Sequence, residues 1–188
     1  DLCEVTEGKA IIVTGVGQHQ MWAAQHYACK EANSFITSGG LGSMGYEVPA
    51  AMGAQVGRPD RLVWSIAGDG GFQMTLSELA TAAVHKLPVK CLIINNNFLG
   101  MVRQWQEMFF ENRLSGVKLE GNPDFVKLAQ AYGVKAWRIK RSADIQRILQ
   151  AAHEYDEGPC VVCADVVQED NVFPMIPAGQ TIHDLIEE

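Results

Sequence analysis

Two clusters of small polar residues carry the first chemical signal in this chain. Gly68-Asp69-Gly70-Gly71 sets one carboxylate among glycines. Glycine lets a backbone approach a ligand closely, and a carboxylate so placed can hold a hard cation. Read alone, Asp-Gly is also ordinary turn chemistry. The second cluster is Asn95-Asn96-Asn97, with Asn96 lying 27 residues beyond Asp69. Magnesium accepts carboxylate and amide oxygens and completes its octahedron with phosphate, carbonyl and water oxygens. The other reading of three asparagines is a turn that ends a strand.

The elements around these clusters decide whether they can meet. Apolar, β-rich runs at Lys9–Thr14, Leu62–Ile66, Val89–Ile94, Val134–Ile139 and Cys160–Val166 predict strands covered on both faces. Helical patterns lie between them, at about Gln20–Lys30, Met44–Val56, Thr75–His85, Gly100–Asn112, Pro123–Tyr132 and Ser142–Tyr155. Thr75 with Glu78 predicts a capping box, Ser142 a cap for the last helix, and Gly133 a helix stop. Glu4 to Gly8 reads as a polar lead-in to the first strand. Strand–helix alternation predicts an α/β fold, a three-layer α/β/α arrangement around a mainly parallel sheet, forming one domain over residues 1–188. Ligands in such folds bind at the carboxyl ends of strands. That rule points to Gly15-Val16-Gly17, Ala67 to Gly71 and Asn95 to Gly100. One crossover between neighbouring parallel strands would bring Asp69 and Asn96 together.

Composition narrows the classes. The 188 residues are 47% hydrophobic and 20% charged, which suits one packed domain and not a disordered chain. A net charge of −7 argues against nucleic acid as a partner, and Arg138-Ile139-Lys140-Arg141 reads as a solvated strand end. An acidic chain that holds a polyanion must neutralise it locally, through a metal ion or helix N-termini. No apolar run approaches the ~20 residues needed to span a bilayer. Cys3, Cys29, Cys91, Cys160 and Cys163 are odd in number and irregular in spacing, as in a reducing compartment. Cys160 and Cys163 match C-x-x-C, but inside an apolar strand they point to opposite faces and read as core.

Taken together, the Gly-Asp-Gly and the paired asparagines at this spacing resemble the signature of thiamine-diphosphate-dependent enzymes. The resemblance implies thiamine diphosphate and Mg2+ as cofactors, with Asp69, Asn96 and the Phe98 carbonyl as metal ligands. The family has Ser or Ala where Gly71 stands, and Phe98 replaces the polar residues common there. Further segments are similar to the acetohydroxyacid synthase (acetolactate synthase) branch. Gly15-Val16-Gly17-Gln18-His19-Gln20-Met21-Trp22 implies that Gln18 and His19 reach the diphosphate. Gly39 to Gly45 resembles the segment that cradles the aminopyrimidine, implying a Gly42 backbone contact and Met44 beneath the bent cofactor. Without the resemblance, His19 is a loop or capping histidine and Met44 core packing. The stretch Leu99 to Gln106 resembles the helix bordering the substrate channel, with Trp105 walling the acceptor pocket. Gly70, Gly71, Leu99, Gly100 and Met101 complete the implied cofactor contacts, and Asn171 to Gly179 resembles the same branch again.

Such enzymes join pyruvate to pyruvate or 2-oxobutyrate with loss of CO2, in valine, leucine and isoleucine biosynthesis. The glutamate that activates the aminopyrimidine is expected on a separate N-terminal domain of a partner subunit, so no catalytic residue is assigned in this chain. FAD is implied for a middle domain of the full enzyme and not for this one. The start at Asp1 predicts a C-terminal fragment of a longer chain, inactive alone. A homodimer or higher oligomer, a regulatory subunit, and a cytoplasmic or plastid location are the remaining expectations. Another thiamine-dependent decarboxylase, oxidase or carboligase, a cofactor-binding module without chemistry, and a Rossmann-type nucleotide module stay open as alternatives. The last is disfavoured because Asp69 would repel a pyrophosphate lacking metal.

Overall fold

The computed structural model describes residues 1–187. Its β-branched and apolar runs form β1 (Ile11–Thr14), β2 (Phe35–Thr37), β3 (Val63–Gly68), β4 (Lys90–Asn95), β5 (Lys135–Ile139) and β6 (Cys160–Asp165). They pair in one six-stranded sheet of order β2-β1-β3-β4-β6-β5. Every ladder is parallel. The helices are α1 (Leu2–Val5), α2 (Gln18–His26), α3 (Glu47–Gly57), α4 (Asp69–Thr75), α5 (Glu78–Val84), α6 (Gly100–Phe109), α7 (Phe125–Ala131) and α8 (Ile145–Glu154).

The period-2 alternation of each strand sorts its side chains into two cores. Ile11, Val13, Val63, Ala67 and Ile93 pack with Val48 and Ala51 of α3, Phe72 of α4, Leu79 of α5 and Phe125 of α7. Ile12, Trp64, Ile66 and Leu92 face the other way, onto Ala23 of α2 and Ile148 and Leu149 of α8. This is the expected three-layer α/β/α fold. Burial of each such side chain contributes ~1.5–3 kcal/mol before conformational entropy is set against it. Cys160 belongs to the second core and Cys163 to the first, so the C-x-x-C run is two separate buried thiols.

Several local expectations give way to tertiary contacts. The chain has a further strand, β2, whose short Phe-Ile-Thr run is only half-buried at the sheet edge and lacks a strong apolar signature. The helix expected from Thr75 to His85 is the shorter α5, and a further helix not expected, α4, precedes it and begins at Asp69 itself. The Thr75–Glu78 capping box is absent: Thr75 closes α4, and its hydroxyl donates to the Gly45 carbonyl at 3.0 Å. Ser142 opens a 3-10 turn instead of capping α8. Asp144 holds the N-cap position, with its carboxylate turned to Arg141 and Arg147. The lead-in at Glu4 to Gly8 overlaps α1, whose Leu2, Cys3 and Val5 pack on the second core. Gly133, at φ 72°, ends α7 as its position predicts.

Candidate functional site

From β1 the chain passes to β2 on one side and β3 on the other, so the sheet changes winding direction between β1 and β3. Crevices form at such switch points, outside the carboxyl ends of the strands. Here the loops after β1 and β4 and the junction of β3 with α4 enclose a cleft of about 220 Å³. Every residue singled out as a cofactor contact, from Gln18 and His19 through Gly42, Met44 and Asp69 to Met101, lines it. Trp105 does not. It sits half-buried one turn further along α6, with its indole N–H on the Met101 sulfur at 3.2 Å and its ring 5.3 Å from that of Phe109.

Asp69 is 2% exposed at the start of α4. Its Oδ1 accepts from the Gly70 N–H at 3.0 Å, and its Oδ2 from the Asn97 N–H at 2.8 Å and the Asn122 amide at 2.7 Å. Burial raises the carboxyl pKa, against the opposing pull of the Asn122, Gly70 and Asn97 donors. Among the described residues no Lys or Arg pairs with it. Asn96, the first residue after the neighbouring strand β4, turns its Oδ1 back onto the Phe98 N–H at 3.0 Å and donates to the Gln18 Oε1 at 3.3 Å. The Phe98–Lys118 bridge uses the Leu99 N–H and the Asn97 carbonyl, leaving the Phe98 carbonyl outside it.

Gln18 and His19 open α2, and both are buried. The Gln18 amide donates to the Gln104 Oε1 at 3.0 Å and to the Asp170 carbonyl at 2.9 Å. Both of its N–H groups are thereby engaged, so Gln18 fixes a wall of the cleft and has no free donor for a ligand. His19 differs. Desolvation lowers its pKa to about 4, so it is neutral near neutrality, and its Nε2 has no partner among the described residues. A buried ring nitrogen left unpaired on a cleft wall costs stability unless a ligand or water satisfies it.

A family model described as "Thiamine pyrophosphate enzyme, C-terminal TPP binding domain" matches residues 15–164. The chain belongs to this thiamine pyrophosphate enzyme family. It is 47% identical to the acetolactate synthase large subunit of Corynebacterium glutamicum over 94% of its length, which is 29% of that protein. It is 44% identical to the acetolactate synthase isozyme 2 large subunit of Escherichia coli over 95% of its length, 32% of that protein. With the mitochondrial acetolactate synthase catalytic subunit of Saccharomyces cerevisiae the identity is 47%, over 94% of this chain and 25% of that one. The chain thus spans about a quarter to a third of these relatives.

The cleft's chemistry fits the cofactor of a thiamine pyrophosphate enzyme. His19, which lines the cleft, has an unpaired buried Nε2, and Asp69 is a buried carboxylate that no cation among the described residues pairs with. Asp69 Oδ1 and Asn96 Oδ1 each keep a lone pair beyond the one N–H bond they accept, whereas Asp69 Oδ2 already takes two donors. The structure also adds residues that the sequence did not reveal. Asn122 ties Asp69 to Asn95 and Asn97, though it lies 53 positions from Asp69. Arg103 and Gln104, visible only as part of a family-like segment, strap the C-terminal tail across α6. Arg103 binds the Glu169 and Asp170 carbonyls and Asn171, and Gln104 makes two 2.9 Å bonds with Val172. Glu47, with no motif to mark it, is a fully buried carboxyl beside Gly71.

Proposed function

We propose that residues 1–188 are the diphosphate- and Mg2+-binding domain of a longer acetohydroxyacid synthase, condensing pyruvate with pyruvate or 2-oxobutyrate and releasing CO2. The observation that carries this reading is one cleft bordered by Asp69, Asn96 and the Phe98 carbonyl, with the unpaired His19 Nε2 in its wall. The likeness to acetolactate synthases over nearly the whole chain supports it.

When bound, thiamine diphosphate supplies an electron sink for decarboxylation of a 2-oxo acid. This chain's residues bind and orient it. Asp69, Asn96 and the Phe98 carbonyl hold Mg2+ against the diphosphate, as hard oxygen donors suited to that ion. Neutral His19 offers Nε2–H to a phosphate oxygen. The Gly70 and Gly71 backbone borders the same group, while Gly42 and Met44 meet the aminopyrimidine. Leu99, Gly100 and Met101 form the apolar wall that excludes water, and Trp105 borders the acceptor oxo acid. The activating glutamate, the FAD site, the dimer partner and a regulatory subunit belong to parts outside this chain. A cytoplasmic or plastid setting follows the same reading, and no helix among the described residues is long and apolar enough to cross a membrane.

Calorimetric titration of thiamine diphosphate, with and without Mg2+, tests the site. Asp69→Ala and Asn96→Ala abolish the Mg2+-dependent part of binding, because each removes a ligand and leaves the diphosphate charge uncompensated. Both variants keep the native circular dichroism spectrum. Unchanged affinity in both at fixed Mg2+ rejects the assignment.

A further inference from the structure

Glu47 begins α3 and is 0% exposed. Its side chain lies between two backbones that carry no Cβ. A Cβ on Gly15, after β1, would stand 2.1 Å from its Oε2, and one on Gly71, in the first turn of α4, 2.7 Å from its Oε1. Gly71 lines the cofactor cleft. The carboxyl is therefore wedged behind two of the segments that build the proposed diphosphate site, in space that only glycine leaves open.

Both carboxyl oxygens lack a hydrogen-bond partner, and among the described residues no cation pairs with Glu47. Burial raises its pKa to about 7, with the backbone N–H groups of Glu47 and Gly45 pulling weakly downward. The elements packed around it offer no compensation. Strands β1 and β3 carry no ionisable side chain, α4 carries Asp69 and α5 carries the half-buried Glu78. On β4, Lys90 is turned to the Tyr155 carbonyl, while the buried Cys91 thiol is pushed up, in small part by Glu47 itself. Neutral His19 sits across the cleft wall on α2.

We propose that Glu47 is a proton-gated positioning residue of the thiamine diphosphate site: as a neutral acid it spaces the loop after β1 from the first turn of α4, and as a carboxylate it opposes the anionic cofactor. The inference rests on the cofactor reading given above. A buried negative charge behind a diphosphate has no counter-ion and little solvent to screen it. The binding-competent form is then the protonated one, and apparent affinity scales with its population.

The test measures thiamine diphosphate affinity at saturating Mg2+ from about pH 6 to about pH 8, in the intact polypeptide that carries this domain. With a midpoint of about 7, the neutral fraction falls roughly tenfold over that range, and the wild-type Kd rises roughly tenfold with it. Glu47→Gln, a neutral side chain of the same shape, abolishes that rise. It keeps any titration of the cofactor or of other residues, so the difference isolates Glu47. Glu47→Ala removes the spacer and binds more weakly than Glu47→Gln at every pH. Parallel pH profiles for wild type and Glu47→Gln, or equal affinities for the Gln and Ala variants, overturn the inference and leave the site reading standing. Absence of binding by all three at every pH overturns both. Infrared spectra of the wild type need no variant: a protonated-carboxyl band present at pH 6 fades with the same midpoint as affinity, and its absence overturns the gate.

Discussion

Replacing Gly100 by Ala places a methyl group 2.0 Å from the Gln18 Oε1 and 2.8 Å from the Asn96 amide nitrogen. Both distances are far inside van der Waals contact, so the flexible Gln18 side chain must leave. It loses its bonds to Asn96, Gln104 and the Asp170 carbonyl. At about 1 kcal/mol each, that sets an upper bound near 3 kcal/mol, in line with the ~1–3 kcal/mol typical of overpacking. Helix propensity works the other way, since Ala exceeds Gly by up to ~1 kcal/mol in a helix interior and by less at the first position of α6. The net expectation is a loss of about 1–2 kcal/mol, read as a lower urea midpoint at unchanged slope. The decisive comparison is the same substitution in a Gln18→Ala background. With the Gln18 amide gone, only the Asn96 amide at 2.8 Å still has to shift, so Gly100→Ala becomes nearly neutral, and the cycle shows a coupling of about 2 kcal/mol. Additivity of the two substitutions within ~0.5 kcal/mol would refute the close-approach argument.

His19 and Glu47 should impose opposite pH slopes on stability. The His19 pKa falls from 6.5 to about 4 on folding, so its contribution is present above 6.5 and lost as pH drops through 4. The Glu47 pKa rises from 4.5 to about 7, so its contribution is present below 4.5 and lost as pH climbs through 7. Each shift is worth about 3 kcal/mol by linkage, and the two nearly offset in the wild type between about pH 4.5 and 6.5. His19→Gln should unmask stability that falls with rising pH, and Glu47→Gln stability that rises; identical wild-type and variant slopes in urea titrations would contradict both assignments. In the intact polypeptide, Trp105→Leu should erode preference for 2-oxobutyrate over pyruvate, since one methylene in an apolar pocket is worth ~1–3 kcal/mol. Its half-buried place against Phe109 and Met101 should keep the melting cost below the ~3–5 kcal/mol of a core aromatic truncated to Ala; an unchanged product ratio in a competition assay removes Trp105 from the site.

Much of the fold was legible because burial leaves a local record. Strands covered on both faces must be apolar at nearly every position, so β1, β3, β4 and β6 stand out in the sequence, as does their alternation with helices; β5, expected to be covered on both faces, is instead a sheet-edge strand that is buried only at Ile139. The Gly68 to Gly71 and Asn95 to Asn97 segments were legible for a related reason: clusters of glycine, aspartate and asparagine at the ends of apolar strands stand out from the runs they terminate. The edge strand β2 left no such record, being short and half-buried. Helix α4 was hidden because Gly70 and Gly71 are poor helix formers, and the contacts of Phe72 with Phe125 across the core override that propensity.

Tertiary structure alone decided which polar groups are engaged and which are left unpaired. Gln18 and His19 are neighbours in sequence and look alike as polar residues at a helix start. Gln104 and Asp170, 86 and 152 positions away, take up the Gln18 amide, while no group among the described residues reaches the His19 Nε2. Asn122 and Glu47 have no motif at all. One supports Asp69 from across the fold, and the other is buried because Gly15 and Gly71, each 24 or more residues away, leave room for it. Periodicity reports only whether a position is covered. Hydrogen-bond partners, and the desolvation that shifts a pKa, are properties of the atoms that cover it, and distant parts of the chain supply those atoms only once it has folded.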